Sequence, residues 1–441
     1  MAIIPQRSLF KWDEVEALGD LERLRLVLKY LPDELLMEQL EQERGLGRNE
    51  YPVRAVWNSI LAGVVFQHRS IESLRRELQR NAQLRELCGF ELLLGERAVP
   101  PPSAYTRFLK KLLEHGQQID QMFDELVDVL GEVVPGFGRV LGNDGKAIQT
   151  VARPPKKDGS VKPRYGRRDV DADWGAKSTR EQKEDGTLYE RVTYWFGYKL
   201  HLIVEANYEI PVAYEVSKAS VAETPKVRGL YKELAERHPK LMQACEAAVA
   251  DKEFDETELI EWLWEEHGIK PVIPIRELWK DGQSTRRVSG TRNVVYDYEG
   301  TVSCCCMKTG ELYKIAYAGF EQDRGALKYR CPGVHYGLSC PALGHCRVKG
   351  SVRIKLDEDR RVFTPLARSS YAWKRAYKKR SAIERVNSRI DGPFGFEEHF
   401  IRGLAKMKLR LGLAMLVMLA MAVGRVKEKQ RDKLRSLIKA A

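Results

Sequence analysis

The chain has 441 residues, enough for two or three domains with a sizeable core, and its 43% hydrophobic and 31% charged residues are those of a folded rather than a disordered protein. A formal charge of +12 points to a polyanionic partner, nucleic acid first, because each Lys or Arg set against a phosphate releases condensed counterions. The first residues lack the basic, apolar, small-residue order of a secretory signal, Leu411 to Val423 is short for a bilayer span, and eight cysteines fit reduced thiols or metal ligation, so a cytoplasmic chain with no membrane partner is expected.

From Trp12 to about Val134 apolar residues recur three and four apart, which predicts an all-α region. Ser103 is expected to cap a helix after the Val99-Pro-Pro-Pro-Ser103 stretch, and a domain boundary is expected near residue 136. Within the region, VWNSILAGVVFQHRSIESLRRELQR suits a helix-turn-helix with Arg75, Arg76 and Arg80 on its second helix, although any helical bundle shows the same pattern.

Beyond the boundary the period becomes that of strands. RVLGNDGKAIQT, WFGYKLHLIVEA and IPVAYEVSKAS read as three strands, the last two joined by a hairpin at Asn207-Tyr208-Glu209. A helix from Glu223 to about Arg237, a short strand ending at Asp251, a helix from Glu256 to His267 and the strand IKPVIPI follow. The order β-β-β-α-β-α-β, with a later helix, predicts an α/β fold with an RNase H-like mixed sheet flanked by helices. Alternation along GYKLH puts Lys199 and His201 on one face, turned either to bound DNA or simply to water.

Two segments interrupt this core. Residues 152–190 read as a polar excursion whose first part, Arg153 to Arg168, carries seven basic residues against one Asp. Arg164, Arg167 and Arg168 there suit a DNA-facing loop or a solvated surface. Residues 277–370 read as a β-rich insertion with Cys304, Cys305, Cys306, Cys331, Cys340 and Cys346. Cys304, Cys306, Cys331, Cys340 and Cys346 suit a structural Zn²⁺ holding a subdomain poor in apolar core, against the alternative of reduced buried thiols; no paired Cys-x-x-Cys knuckle decides between them.

Asp144 lies in the first strand of the core, Asp251 follows the fourth, and Glu384 sits on the late helix. Phosphodiester transfer needs an activated oxygen nucleophile on one side of phosphorus and charge neutralisation on the other, which two hard cations held by carboxylates supply. Adjacent strands would bring the two aspartates together, with the glutamate completing the set from the side. The helix is strongly basic as well, with Lys378, Arg380, Arg385 and Arg389 suited to phosphates.

The words YPVRAVWNSILAGVVFQHRSIESLRRELQRNAQLRELCGF, FGYKLHLIVEA, AVADKEFDE, YKKRSAIERVNSRI and GFEEHFIRGLAKMKLRLGLAMLVMLAMAV together resemble bacterial insertion-sequence transposases with a DDE domain, over almost the whole chain. The resemblance implies binding of double-stranded DNA at inverted-repeat ends, cleavage and strand transfer into target DNA, a homodimer during synapsis, and Asp144, Asp251 and Glu384 as ligands of two Mg²⁺ or Mn²⁺ ions. It implies phosphate contact and end positioning for Tyr377 and Arg380, seven and four residues before Glu384. Seven residues after Glu384, where a basic residue is usual, stands Asp391, with Arg389 as a substitute or with Gly392-Pro393 ending the helix first. Asp171 and Asp173 also match family sequence and are expected to order a loop.

The organisation expected is a helical DNA-binding or dimerisation region over 1–136, a catalytic core over 137–276 and 371–426, an insertion over 277–370 and a basic tail over 427–441. Alternatives are an RNase H-like nuclease without strand transfer and a transposase-derived DNA-binding protein.

Overall fold

Amphipathic periodicity in the first third of the chain gives the helices Glu22–Tyr30, Glu34–Arg44, Val53–Val65, Ile71–Arg80, Ala82–Cys88, Pro102–Leu112 and Gly116–Val133. The computed structural model describes residues 18–45, 50–154, 169–182, 188–276, 279–343, 346, 348 and 350–435. Two compact units emerge, one of residues 1–134, 148–198 and 388–441, the other of residues 135–147 and 199–387.

In the first unit the helices gather around a C-terminal partner, Leu404–Lys427, which packs against Glu22–Tyr30, Val53–Val65 and Gly116–Val133. By length and composition this helix could cross a bilayer, but most of it is buried inside the protein, with Leu411, Met415, Leu416 and Leu419 wholly enclosed. Each such side chain contributes about 1.5–3 kcal/mol. Gly424 permits the close crossing, since a Cβ there would lie 2.9 Å from the Tyr30 ring. Ser103 is not the cap expected of it. Pro101 precedes the helix and Pro102 opens it, where the missing N–H would have no partner anyway.

The polar excursion contains a strand that its composition hides. β2 (Asp173–Gln182) pairs antiparallel with the start of β3 (Leu188–Glu205), Trp174 opposite Phe196 and Gly175 opposite Trp195. Trp195 covers Gly175, at which a Cβ would meet the indole at 2.4 Å. Trp174 and Tyr194 remain exposed, so the ribbon has no continuous apolar face to betray it in the sequence. Asp171, just before it, accepts the Leu404 N–H at 3.0 Å and so caps the C-terminal helix.

The second unit holds the sheet. β1 (Val140–Gln149) lies between β3 and β5 (Ala247–Val249), β6 (Lys270–Val272) flanks β5, and β4 (Ile210–Lys218) pairs with β3. The order β4-β3-β1-β5-β6 is that of an RNase H-like core. β1 and β5 run parallel, as do β5 and β6. Where β3 turns into β4, Glu209 takes a positive φ of 61°. Its buried carboxylate is held by Arg385 at 2.8 Å.

Between β6 and the late helices come two small antiparallel sheets, β7 (Arg286–Arg287) to β10 (Leu312–Lys314) in the order β10-β9-β8-β7, with β8 (Val294–Tyr296) and β9 (Val302–Cys305), and β11 (Ala316–Glu321), β12 (Ala326–Arg330) and β13 (Ser351–Lys355). They share an apolar core that includes Val294, Tyr296, Leu327, Tyr329, Ile354 and Phe363. The insertion therefore does not lack a core, contrary to the premise on which a stabilising ion was expected.

Candidate active site

Parallel pairing fixes the two aspartates. Val140 faces Ala247, Leu141 faces Ala248 and Gly142 faces Val249, so the same register carried past the end of β5 sets Asp144 level with Asp251. Neighbouring strands lie about 4.8 Å apart, so this register puts the two half-buried residues on adjacent chain segments at one end of the β1–β5 pair. Asp251 leaves the sheet at once and caps the 3-10 turn Lys252–Phe254, its Oδ1 accepting the Glu253 N–H at 2.8 Å.

Residues 142 and 144 share one face of β1. On that face sits the Ser381–Asp391 helix, whose Ile383 fills the space left by the absent side chain of Gly142. Glu384 follows Ile383, and Asn387, one turn on, donates from Nδ2 to Asp144 Oδ2 at 2.9 Å. The preceding helix, Tyr371–Tyr377, packs Trp373 and Tyr377 on Ala247, Val249 and Val272, with the two rings stacked 5.1 Å apart.

A 3-10 turn, Lys378–Arg380, joins the two helices and keeps the expected neighbours together. Arg380 lies over the Tyr377 ring at 5.9 Å and is ion-paired with Glu384. Burial works to lower the Arg380 pKa, but Tyr377, Glu384 and Asp144 outweigh it and hold the guanidinium above its ordinary value. The Tyr377 hydroxyl is raised by burial first; Arg380 opposes that shift, whereas the Asp251 and Glu384 carboxylates add to it. One Tyr–Arg pair thus senses all three acidic groups. Among the described residues, however, no three His, Cys, Asp or Glu side chains stand close enough to hold an ion, and Glu384 is turned to Arg380. In donor chemistry the acidic groups fit a hard divalent cation, being carboxylates from three separate elements.

Other expected positions fall differently. Lys199 and His201 face neither DNA nor water, being 7% and 0% exposed: Lys199 reaches the start of the Glu223–Arg237 helix and His201 the neighbouring strand β4. Lys199 pairs with Glu223 at 3.1 Å and donates to the Val221 carbonyl at 3.0 Å. The His201 Nε2 lies 2.8 Å from Ser217 Oγ, and burial, helped by Lys199 and Lys226, pushes the imidazole down to about 4. Lys378 is exposed, Arg389 is half-buried on the Ser381–Asp391 helix, and that helix ends at Asp391 before Gly392-Pro393. Arg164, Arg167 and Arg168 lie outside the described residues. On the candidate recognition helix Arg75 is tied to the Pro100 carbonyl at 2.8 Å, whereas Arg76 and Arg80 are exposed, Arg80 paired with Glu77.

Sequence reasoning missed Glu223 and Asn387. Glu223 backs β1 on the face away from Asp144. Its Oε2 would be 2.2 Å from a Cβ at Gly145 and has no hydrogen-bond partner. The first position of a helix directly after a strand was the available signal for Glu223, and the i+3 spacing from Glu384 for Asn387.

In the insertion the Cys304 thiol is pushed up to about 11, by burial first and then by Cys331, Cys346 and Cys340, but among the described residues no three of these side chains stand close enough together to hold an ion. Asn293 links two of the segments, its Nδ2 donating to Cys346 Sγ at 3.4 Å while its carbonyl accepts the Cys305 N–H at 2.7 Å. Cys306 is turned aside, held below its ordinary value by a hydrogen bond with Thr309.

A search of curated proteins gives no match. Among solved structures the chain resembles a piggyBac transposase synaptic complex with hairpin DNA, at 14% identity over 96% of this chain and 86% of that one, with a TM-score of 0.31, a likeness that adds nothing to the topology above. Residues 11–111 match the family described as Transposase domain (DUF772), and residues 162–420 match the Transposase DDE domain, a span that begins after Asp144. Covering more than half of the chain, the second match makes this protein a member of the DDE transposases.

Proposed function

We propose that the protein binds the inverted-repeat ends of a mobile element, cleaves DNA there and joins the freed ends to target DNA, with Asp144, Asp251 and Glu384 holding two Mg²⁺ or Mn²⁺ ions. The observation that carries this reading is the β1–β5 register, which levels Asp144 with Asp251 on the side where the Glu384 helix packs. Bound there, the ions would supply charge neutralisation and an activated oxygen nucleophile. The chain's own groups do the rest. Asn387 orients Asp144, and Arg380 neutralises Glu384 until a phosphate competes for the guanidinium. Tyr377, Lys378, Arg385 and Arg389, with Arg164, Arg167 and Arg168, contact the DNA backbone. Lys199 and His201 act behind the sheet, holding Glu223 and Ser217 rather than DNA.

The helical region 1–136 serves end recognition or dimerisation, the core comprises 137–276 and 371–426, and 277–370 is an inserted subdomain followed, past the core, by a basic tail over 427–441. The enzyme acts as a homodimer in the cytoplasm, on DNA. Cys304, with Cys331, Cys340 and Cys346, the thiols that raise its pKa, takes one Zn²⁺, closing the loops outside the insertion's apolar core. Metal analysis of purified protein should find about one zinc per chain, lost in Cys340→Ser with Cys306→Ser unaffected; protein free of zinc would sink that assignment.

The test of function is incubation with a supercoiled donor carrying matched terminal repeats in Mg²⁺. Cleavage and joining are expected, and Asp144→Asn, Asp251→Asn or Glu384→Gln should abolish both while end binding persists. Cleavage without joining would favour a nuclease, and binding without cleavage a DNA-binding protein.

A further inference from the structure

A cavity of 790 Å³ opens within the first unit, among the helices Val53–Val65, Ile71–Arg80, Pro102–Leu112 and Leu404–Lys427 and the segment 394–402. Its sides differ in chemistry. Ile60, Leu74, Leu109, Phe396 and Leu413 form apolar wall, whereas Lys110, Arg402, Lys406 and Arg410 bring cations and no Asp or Glu lines it. Lys406, Arg410 and Leu413 follow i, i+4, i+7 spacing and so present one face of the C-terminal helix to the space.

Arg410 is the residue that needs explaining. It is half-buried in the cavity wall, and burial pushes its guanidinium down to about 10 with no carboxylate near enough to compensate. His68 and His399 sit on either side, each lowered by burial and further by Arg410. Neither Nε2 makes a hydrogen bond, although the Gln149 carbonyl near His399 favours its proton. The His399 Nδ1 already accepts the Ile401 N–H at 3.1 Å, so in the neutral ring Nε2 carries the hydrogen. Cations gathered around a cavity that no carboxylate lines, beside two imidazole nitrogens without partners, raise the local concentration of anions, so this set suits an anionic ligand.

A bare phosphate would leave most of the cavity and its apolar wall unused. A flat, largely apolar ring attached to a phosphate uses both, and Phe400, 70% exposed beside the cavity, offers a ring to stack on it. We infer that this cavity receives one unpaired nucleotide of the DNA substrate, its base against the apolar wall and Phe400, its phosphate on Arg410, Lys406 and Arg402. The inference rests on the proposal that DNA is the substrate and adds that one nucleotide leaves the duplex stack, at a cost of a few kcal/mol that the cavity offsets.

The experiment uses full-length protein without divalent metal, so that it reads binding and not cleavage. Fluorescence anisotropy compares a labelled six-nucleotide single strand with a fully paired duplex. Arg410→Gln, and Leu109→Trp, which fills the cavity, should each weaken the single strand by about tenfold and the duplex by less than about twofold. A deoxynucleoside monophosphate should compete, and oleate, the other ligand class with an anionic head and an apolar body, should not. Equal losses for both DNAs, no loss in either variant, or displacement by oleate would overturn the inference. Loss of single-strand binding in the variants of a protein that does not cleave would leave the cavity assigned and the transposition reading refuted; cleavage with unchanged single-strand binding would do the reverse.

Discussion

Gly142 and Ile383 touch across the face of β1 that carries Asp144. A Cβ on Gly142 would fall 2.7 Å from Ile383 Cδ1 and 3.1 Å from Val249 Cγ2, so the missing side chain sets how closely the Glu384 helix can approach the strand of Asp144. Two residues along the strand and one along the helix, the proposed ligands inherit that spacing.

Gly142→Val should therefore lift the helix. Overpacking costs about 1–3 kcal/mol, and cleavage should fall far more than stability does, because carboxylate geometry is lost before the fold is. Urea midpoints and donor nicking measured on the same preparation check this, and a stable variant with normal nicking would break the link.

Arg380→Gln removes the partner of Glu384, whose side chain is 54% exposed. Affinity for Mn²⁺, read by calorimetry, should rise about two- to fivefold, the worth of an exposed ion pair, while binding of end DNA weakens. Weaker Mn²⁺ binding in the variant would show that the pair orients Glu384 rather than competing with the ion.

His201 makes stability depend on pH. Its folded pKa, about 4, lies below the ordinary 6.5, so the unfolded chain takes up the proton first. The contribution is complete above pH 6.5 and is lost as pH falls from there towards 4, on the order of 3 kcal/mol at about 1.4 kcal/mol per unit. Lys199 and Lys226 deepen the effect by repelling the imidazolium, and Ser217 faces the ring. Denaturant midpoints at pH 7 and pH 4.5 should converge in His201→Gln relative to the parent; an unchanged pH slope would exclude His201 as the source.

Arg368, 6% exposed, donates Nε and Nη2 to the Arg361 carbonyl at 3.1 and 2.6 Å and Nη1 to the Ile273 carbonyl. Arg368→Ala should cost about 1–3 kcal/mol, since the buried Ile273 carbonyl would be left without this donor while the Arg361 carbonyl is only part-buried. Chemical denaturation checks it, and a loss below 1 kcal/mol would mean that water replaces the guanidinium.

Helical periodicity and the succession of core strands were legible because each depends on local spacing. Asp144 and Asp251 read as neighbours because each follows apolar residues of a core strand, and Glu384 joins them on the basic, aromatic word around it; the β1–β5 register agrees for the two aspartates, whereas among the described residues no three acidic groups gather. The burial of Lys199 and His201 was not legible, because alternation assigns two faces without saying which is buried, and here both are, Lys199 against Glu223 and His201 against Ser217. β2 escaped notice for a related reason, as its partner strand stabilises it through backbone pairing that leaves no apolar stripe. Whether the expected thiols gather is likewise not legible from their spacing, since only tertiary folding decides it, and among the described residues no three of them form a group able to hold an ion.

The embrace of Leu404–Lys427 by Glu22–Tyr30, Val53–Val65 and Gly116–Val133 has a consequence for biosynthesis. The earliest helices leave the ribosome without the segment that closes their core, and nearly 270 residues separate Val133 from Leu404. At roughly 5–20 residues per second that is a wait of some tens of seconds with Leu24, Leu61 and Leu130 unsheltered. A transcript cut short therefore yields a sticky remnant rather than a free-standing N-terminal module, and only a fully translated chain acquires the bundle.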